Sequence, residues 1–304
     1  MSLGTRSTSG GIGIMDRFKT GWTLTKDSFS VIRKHPKLMV FPLLAGVSSL
    51  FFFALFFVPL LVANLVGSGL EYVVLFGLYF ITTFFSTYFS AALVYGANEA
   101  FHGREPGIRK CMAAINDRLG PILVWSAIAA TVSIILKSLE ESDNPIASLL
   151  GTLFAVGWSI MTFLIVPVIV FEEISVTSMF KKSASAFKET WGETIGAGFG
   201  ITLIVGLLGI GMVIVALAVA VPVAAVFPGP GIVLGIFLVG GAFVTAYLLN
   251  QTVWGIAKTA LYVYAVEGET PEDFENFDFE TLGGRTEKSA TPGRAGAAGV
   301  RMDD

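Results

Sequence analysis

The sequence predicts an all-α polytopic membrane protein: six transmembrane helices, with three amphipathic helices lying on the cytoplasmic surface. Three observations predict it. Of the 304 residues 54% are apolar and 14% charged, with a mean hydropathy of +0.74, against roughly 25% charged in a soluble domain. The charges crowd into short stretches that separate uncharged runs, each long enough for the ~20 residues that cross hydrocarbon as a helix. With six spans, all of the 20 Lys and Arg except Lys137 fall on one side, which the positive-inside rule makes cytoplasmic.

The elements follow in order. Residues 1–14 read as a disordered N-terminus, with no run apolar enough for a cleavable signal core, so the first span is expected to act as its own insertion signal. Leu38–Leu70 and Tyr72–Asn98 carry no charge and hold spans one and two, about 38–62 and 73–97. Leu119–Leu136 is a short third span (119–136), and Asn144–Phe171 holds the fourth (146–171). Thr194–Ala257 is uncharged but broken by FPGPG at Phe227–Gly231. Proline and glycine end a helix there and force a tight turn, giving spans five and six at about 196–221 and 232–257. Residues 267–304 form an acidic, largely disordered cytoplasmic tail after a membrane domain over 15–266. Lys137, beside Glu140, Glu141 and Asp143, marks the opposite face.

Each cytoplasmic segment before an odd-numbered span has helical apolar spacing. Phe18, Trp22, Thr25, Phe29 and Ile32 form the first stripe, with Arg17, Lys19 and Lys26 off it. Ile108, Met112, Ile115 and Leu119 form the second, with Arg109 and Lys110. Val176, Phe180, Ala184, Phe187 and Trp191 form the third, with Lys181 and Lys182. Such helices suit the headgroup level, basic face toward anionic lipid, and these seven cations are the expected headgroup contacts. Aligning Ile32, Ile115 and Phe187 puts Ser28, Cys111 and Ser183 in one register. AFHGREP (100–106) and AVEGETP (265–271) share Ala, Gly and Pro at identical spacing, with Glu267 in the place of His102. A ligand histidine is not expected to give way to glutamate in a matching unit. Gly103 and Gly268 instead read as left-handed helix ends followed by a proline stop. The unit, surface helix plus hairpin, repeats in parallel, unlike the inverted repeats of many ion-coupled transporters.

The stretches HPKLMVFPLLAG, FLIVPVIVFEE, KKSASAFKETWGE and ALYVYAVEGETPEDF resemble a six-span membrane family of unknown function found in bacteria and archaea, including haloarchaea. The layout is also loosely similar to the membrane domain of glycerophosphodiester phosphodiesterases. The resemblance covers about residues 15–280 and implies no catalytic residues.

Candidate functional residues are few. Glu99, Glu172, Glu173 and Lys258 lie at span ends, where long side chains are expected to reach the interface. Without intramembrane carboxylates, a proton- or sodium-coupled pump is disfavoured. Span two carries Tyr79, Thr83, Ser86 and Ser90 on one face, a polar path wall or a helix-packing seam. Asn250 and Gln251 in span six are the deepest polar pair and the other candidates for ligand contact. Gly192, Gly196 and Gly200 form a small-residue ridge for close helix packing. Pro167 is expected to kink span four. The tail, with Phe274, Phe277 and Phe279, is expected either to dock a protein partner or to fold back on the basic helices. One cysteine and two histidines give no metal motif, and no Walker A, GxSxG or HExxH pattern is present. No cofactor, metal, nucleic acid or catalytic residue is therefore expected.

Three functions remain: a non-enzymatic membrane-organising protein that grips anionic lipid, a facilitator of an apolar or amphipathic molecule, and an intramembrane lipid enzyme using His102 or Glu172 and Glu173. The first is preferred, in the cytoplasmic membrane with both termini inside.

Overall fold

The computed structural model describes residues 14–62, 69, 71–173, 175–191, 195–268 and 270–274. Among them the regular structure is helical: α1 (Ile14–Lys34), α2 (Val40–Val62), α3 (Glu71–Phe101), α4 (Ile108–Asn116), α5 (Leu119–Glu140), α6 (Pro145–Thr162), α7 (Ile165–Phe171), α8 (Val176–Trp191), α9 (Ile195–Val226) and α10 (Pro230–Glu267). Short 3-10 turns occupy Pro36–Met39 and Glu272–Phe274. Ile14 already belongs to α1. The rest of the expected disordered N-terminus, and the tail beyond Phe274, lie outside the described residues.

Six helical segments are long and apolar enough to cross a membrane, α6 and α7 together forming one of them. This is a multi-pass membrane protein. Its outward faces agree: Phe237 is 75% exposed and Leu50 70%, and apolar exposure on this scale is stable against lipid and not against water. The expected spans are all present, and α3 and α10 run past their predicted ends, α10 by ten residues to Glu267.

α3 lies at the centre, packed against α2, α4, α5, α7 and α10. The three surface helices pack cyclically. α4 lies on α3 of the first hairpin, α8 on α6 and α7 of the second, and α1 on α9 and α10 of the third. Each surface helix therefore covers the hairpin of the unit before it, and α1 closes the ring. The repeat register is visible in burial, because Ser28, Cys111 and Ser183 are all fully buried. The face of α1 turned inward is Leu24, Ser28, Val31 and Ile32, rotated from the predicted stripe, and Trp22 is left 54% exposed. These helices are thus fastened to the bundle by small buried residues in register, flanked by the buried Leu24 and Val31 on α1, Ile115 on α4 and Met179 on α8.

Chain exits follow local chemistry. Gly103 and Gly268 take φ of +68° and +73°, the left-handed conformation that glycine adopts without Cβ strain. Pro106 and Pro271 are both buried just beyond. Span four is broken at Phe163 and Leu164 between α6 and α7, near Pro167 as expected. The Leu164 N–H donates to Ser183 Oγ at 3.2 Å, so α8 supplies the acceptor that the broken helix lacks. After Gly268 the tail folds back: Phe274 is fully buried with its ring edge-on to Phe101 at 5.6 Å, and Asp273 pairs with Lys34. Phe277 and Phe279 lie outside the described residues.

One buried acid in this region has a testable consequence. Asp27 on α1 is 4% exposed, and its Oδ2 has no hydrogen-bond partner. Burial pushes its carboxyl up to about 6, Lys26 opposing and Asp273 assisting. The ordinary aspartate value is about 3.9, so the native state binds the proton more tightly than the unfolded chain. The stabilisation is complete below about pH 4 and is lost as pH rises through about 6. Asp27→Asn is therefore expected to raise the unfolding midpoint by about 2–4 °C at pH 8 and to change it little at pH 4, as read by thermal denaturation in detergent.

Candidate functional site

Four helices converge on a cavity of about 110 Å³ near the basic end of the bundle. α2 contributes Pro42 and Ala45, α3 contributes Ser86 and Ser90, the kinked α7 contributes Val166 and Pro167, and α10 contributes Tyr247, Gln251, Trp254 and Lys258. Gly255 lets α10 approach α3 here, since a Cβ at that position would run into the Leu93 side chain.

Lys258 is the centre of charge. Its Nζ lies 4.6 Å from the centroid of the Phe163 ring and 5.9 Å from that of Trp254. It has no carboxylate partner among the described residues. Lys258 is half-buried, and cation–π contact, worth roughly 0.5–2 kcal/mol, is the interaction its ammonium makes within the protein. The expectation that Lys258 reaches out to the interface is therefore corrected. It lies one turn beyond Trp254 and two beyond the exposed Gln251, half-buried beside the inward face of α10 that Val253, Ile256 and Ala257 form.

The hydroxyls beside it are also available. Elsewhere Thr25, Thr82, Ser126, Thr252 and Thr259 bond back to the carbonyl four residues earlier, at 2.7–2.8 Å. Ser86 and Ser90 have no such partner among the described residues. Gln251 Nε2 donates to the Tyr247 hydroxyl at 3.2 Å. An ammonium, two hydroxyls and an amide around a small space form a donor set suited to one anionic group.

Of the residues expected to line a path, Ser86, Ser90 and Gln251 meet here. Thr83 is half-buried outside the cavity. Asn250 faces a separate apolar groove between α9 and α10 with Gly206, Gly209 and Phe243. Neighbouring helix positions are about 100° apart, so Asn250 and Gln251 cannot serve one site. Sequence reasoning missed Lys258, although Tyr247, Gln251, Trp254 and Lys258 follow a 4-3-4 spacing that marks one helix face.

The other predicted residues separate into two groups. Lys26, Arg109 and Lys181 are exposed on the basic end, whereas Lys110 and Lys182 are engaged within the protein. Glu99, 5% exposed, takes Arg104 at 2.8 Å on one oxygen and Lys110 on the other. It is buried and doubly paired instead of reaching the interface. Its bonds push the Arg104 and Lys110 pKa values up. Glu172 accepts from Tyr262 at 2.7 Å and from Lys182 at 3.0 Å. Burial alone would raise its carboxyl, and these two bonds outweigh it and hold it below the usual range. This second cluster ties α7, α8 and α10 together, and Arg118 reaches Glu173 at 3.3 Å. His102 is exposed, with Nδ1 2.8 Å from the Asn98 carbonyl of its own helix end. The side chains of Arg17 and Lys19 lie outside those described, as does Gly192; Gly196 and Gly200 fall in the first turns of α9, where the packing of the expected ridge lies outside what is described.

The family of unknown function DUF6159 matches residues 69–272. The chain belongs to this family. The matched region holds every cavity residue except Pro42 and Ala45, which α2 supplies. No match was found among curated proteins or solved structures.

Proposed function

We propose that this DUF6159 protein is a non-enzymatic membrane protein that binds an anionic amphipath in the Lys258 cavity, taken from the leaflet that its basic end faces. The observation that carries this reading is an ammonium without a carboxylate partner, in one cavity with the exposed Ser86 and half-buried Ser90 hydroxyls, neither bonded to another group among the described residues. A group with a fixed negative charge and an apolar body satisfies both halves of that environment. The exposed Lys26, Arg109 and Lys181 would draw anionic lipid toward the same face, at about 1 kcal/mol per cation near the surface. The cavity lining contains no carboxylate or imidazole to act as a base, which favours binding over lipid chemistry. The loose likeness to membrane domains of phosphodiesterases that act on glycerol phosphodiesters fits a lipid-facing role, in a bacterial or archaeal, including haloarchaeal, setting.

The orientation belongs to the same proposal: the basic end is cytoplasmic in the plasma membrane, by the positive-inside rule. In intact cells a cysteine at the exposed Asp143 (Asp143→Cys), in the α5–α6 turn, is expected to react with an impermeant maleimide. Protection there, with labelling only after lysis, would invert the topology. For the ligand, protein reconstituted in mixed zwitterionic and anionic lipid is expected to retain anionic amphipaths preferentially on stepwise delipidation, read by native mass spectrometry. Ser86→Ala with Ser90→Ala is expected to weaken that retention about 30-fold, at about 1 kcal/mol per hydroxyl. Equal retention of zwitterionic and anionic species would overturn the reading.

A further inference from the structure

The cavity does not end at Gln251. Tyr247 lines it and also lines an open groove of about 430 Å³ formed by α2, α3 and α10. Three of the four helices that build the cavity also build the groove, and each presents a stripe from one into the other. On α10 the stripe runs Lys258, Gln251, Tyr247, Val244. On α3 it runs Ser90, Ser86, Thr82, and on α2 it runs Pro42, Ala45, Ser49, Phe53. From Lys258 to Phe243 the path measures about 22 Å at 1.5 Å per residue, longer than the ~15 Å of one hydrocarbon leaflet.

Polarity falls along this path. Ser86 and Ser90 hold unbonded hydroxyls near the ammonium, as described. At Thr82 the hydroxyl is already satisfied by the Leu78 carbonyl at 2.7 Å, and beyond it Phe243, Val244, Leu50 and Phe53 are exposed apolar walls. The cavity and this groove share one face of α10. The second groove, between α9 and α10, lies across the ridge made by Tyr247 and Phe243, out of line with the ammonium. The first groove continues the α2 and α3 walls of the cavity, whereas the second, which also reaches Tyr247, meets the cavity at that side chain alone. The head cavity holds a single cation and is small beside the 300–1,000 Å³ of a whole-ligand site, which matches one singly charged group.

We propose that the ligand is a long-chain fatty acid anion, its carboxylate at Lys258 and its single acyl chain laid along the α2–α3–α10 groove past Tyr247. This rests on the reading of the Lys258 cavity as an anion site and assigns the class of molecule that fills it. The occupant is argued from the charge of the head cavity, the in-line apolar groove and the hydrocarbon that the groove faces, in which acyl chains are the solutes at hand.

The test uses the full-length protein in phosphatidylcholine nanodiscs with radiolabelled palmitate as probe. Palmitate is expected to bind saturably, with methyl palmitate, acetate and dipalmitoyl phosphatidylglycerol each competing at least ten-fold more weakly. Ser49→Phe, which fills the groove beyond the cavity, is expected to weaken palmitate at least ten-fold. Val244→Trp blocks the same groove from α10 and is expected to do likewise, so that one misfolded variant does not decide the result. Lys258→Met is expected to weaken palmitate at least ten-fold. If Lys258→Met abolishes phosphatidylglycerol binding while palmitate competes poorly, or if both groove variants bind palmitate normally, the fatty-acid assignment is wrong and the anion site stands. If Lys258→Met changes the binding of neither lipid, both fail.

Discussion

Replacing Lys258 with methionine is expected to reduce binding of anionic amphipaths by ten-fold or more while leaving the folded protein as stable as before, or more so. The two halves of this prediction come from the same geometry. Methionine keeps an unbranched apolar stem and can lie against Phe163 and Trp254 as the lysine stem does. What it loses is a cation held near aromatic rings with no carboxylate partner among the described residues, a poor bargain for stability by itself. A hydrogen bond to a charged group contributes about 1.5–3 kcal/mol, which is roughly 10- to 100-fold in affinity. Lys258→Arg retains the charge with a bulkier planar head and is expected to recover part of the binding. The checks are an equilibrium binding assay and a thermal melt on the same preparations. A lysine with a merely structural role gives the opposite pattern, a lowered melting midpoint with unchanged lipid binding.

Why the architecture was legible and the cavity was not has one physical cause. Hydrocarbon accepts almost no unpaired charge or open backbone, so the positions of the spans, the FPGPG turn and the parallel units are written directly into where charge is absent. Left-handed glycines at 103 and 268, and small buried residues at 28, 111 and 183, follow from local backbone and close packing, which a spacing argument captures. Span ends are different. A lysine or glutamate there can turn outward to water or inward to a partner, and both choices fit the same pattern of residues. Glu99 turns inward because Arg104 and Lys110 arrive from the connector and α4 to meet it. Lys258 is half-buried, and its ammonium turns from the outside because the Phe163 ring at the break in span four and the Trp254 ring lie within its reach. Treating Asn250 and Gln251 as a pair failed for the simplest reason, since adjacent positions on a helix do not face the same way.

The largest expected effect on stability is at Glu99, and it answers what the polar cluster between α3 and α4 does. Both of its carboxylate oxygens are used: one takes the Arg104 guanidinium through Nε at 2.9 Å and through the second nitrogen at 2.8 Å, the other takes Lys110. The backbone closes the same loop, with the Arg104 N–H on the Glu99 carbonyl at 2.9 Å. Glu99 therefore fixes the end of α3 to the connector and to α4. Removing one partner of a buried pair typically costs about 3–5 kcal/mol. Arg104 and Lys110 are about half exposed and can hydrate, so Glu99→Gln is expected near the lower end, about 3 kcal/mol. Arg104→Ala leaves Lys110 on the carboxylate and removes only an exposed guanidinium, so this variant is expected to cost less. Cys111 supplies the measurement. It is fully buried on α4, and burial pushes its thiol up to about 11, so in the native protein it should react with maleimide only through local opening. Freed from Glu99, α4 opens more often by a factor that follows the lost stability. Labelling of Cys111 in Glu99→Gln is then expected to accelerate about 100-fold, against several-fold in Arg104→Ala. Equal labelling rates in the wild type and Glu99→Gln would show that the cluster is a solvated charge group with no hold on α4.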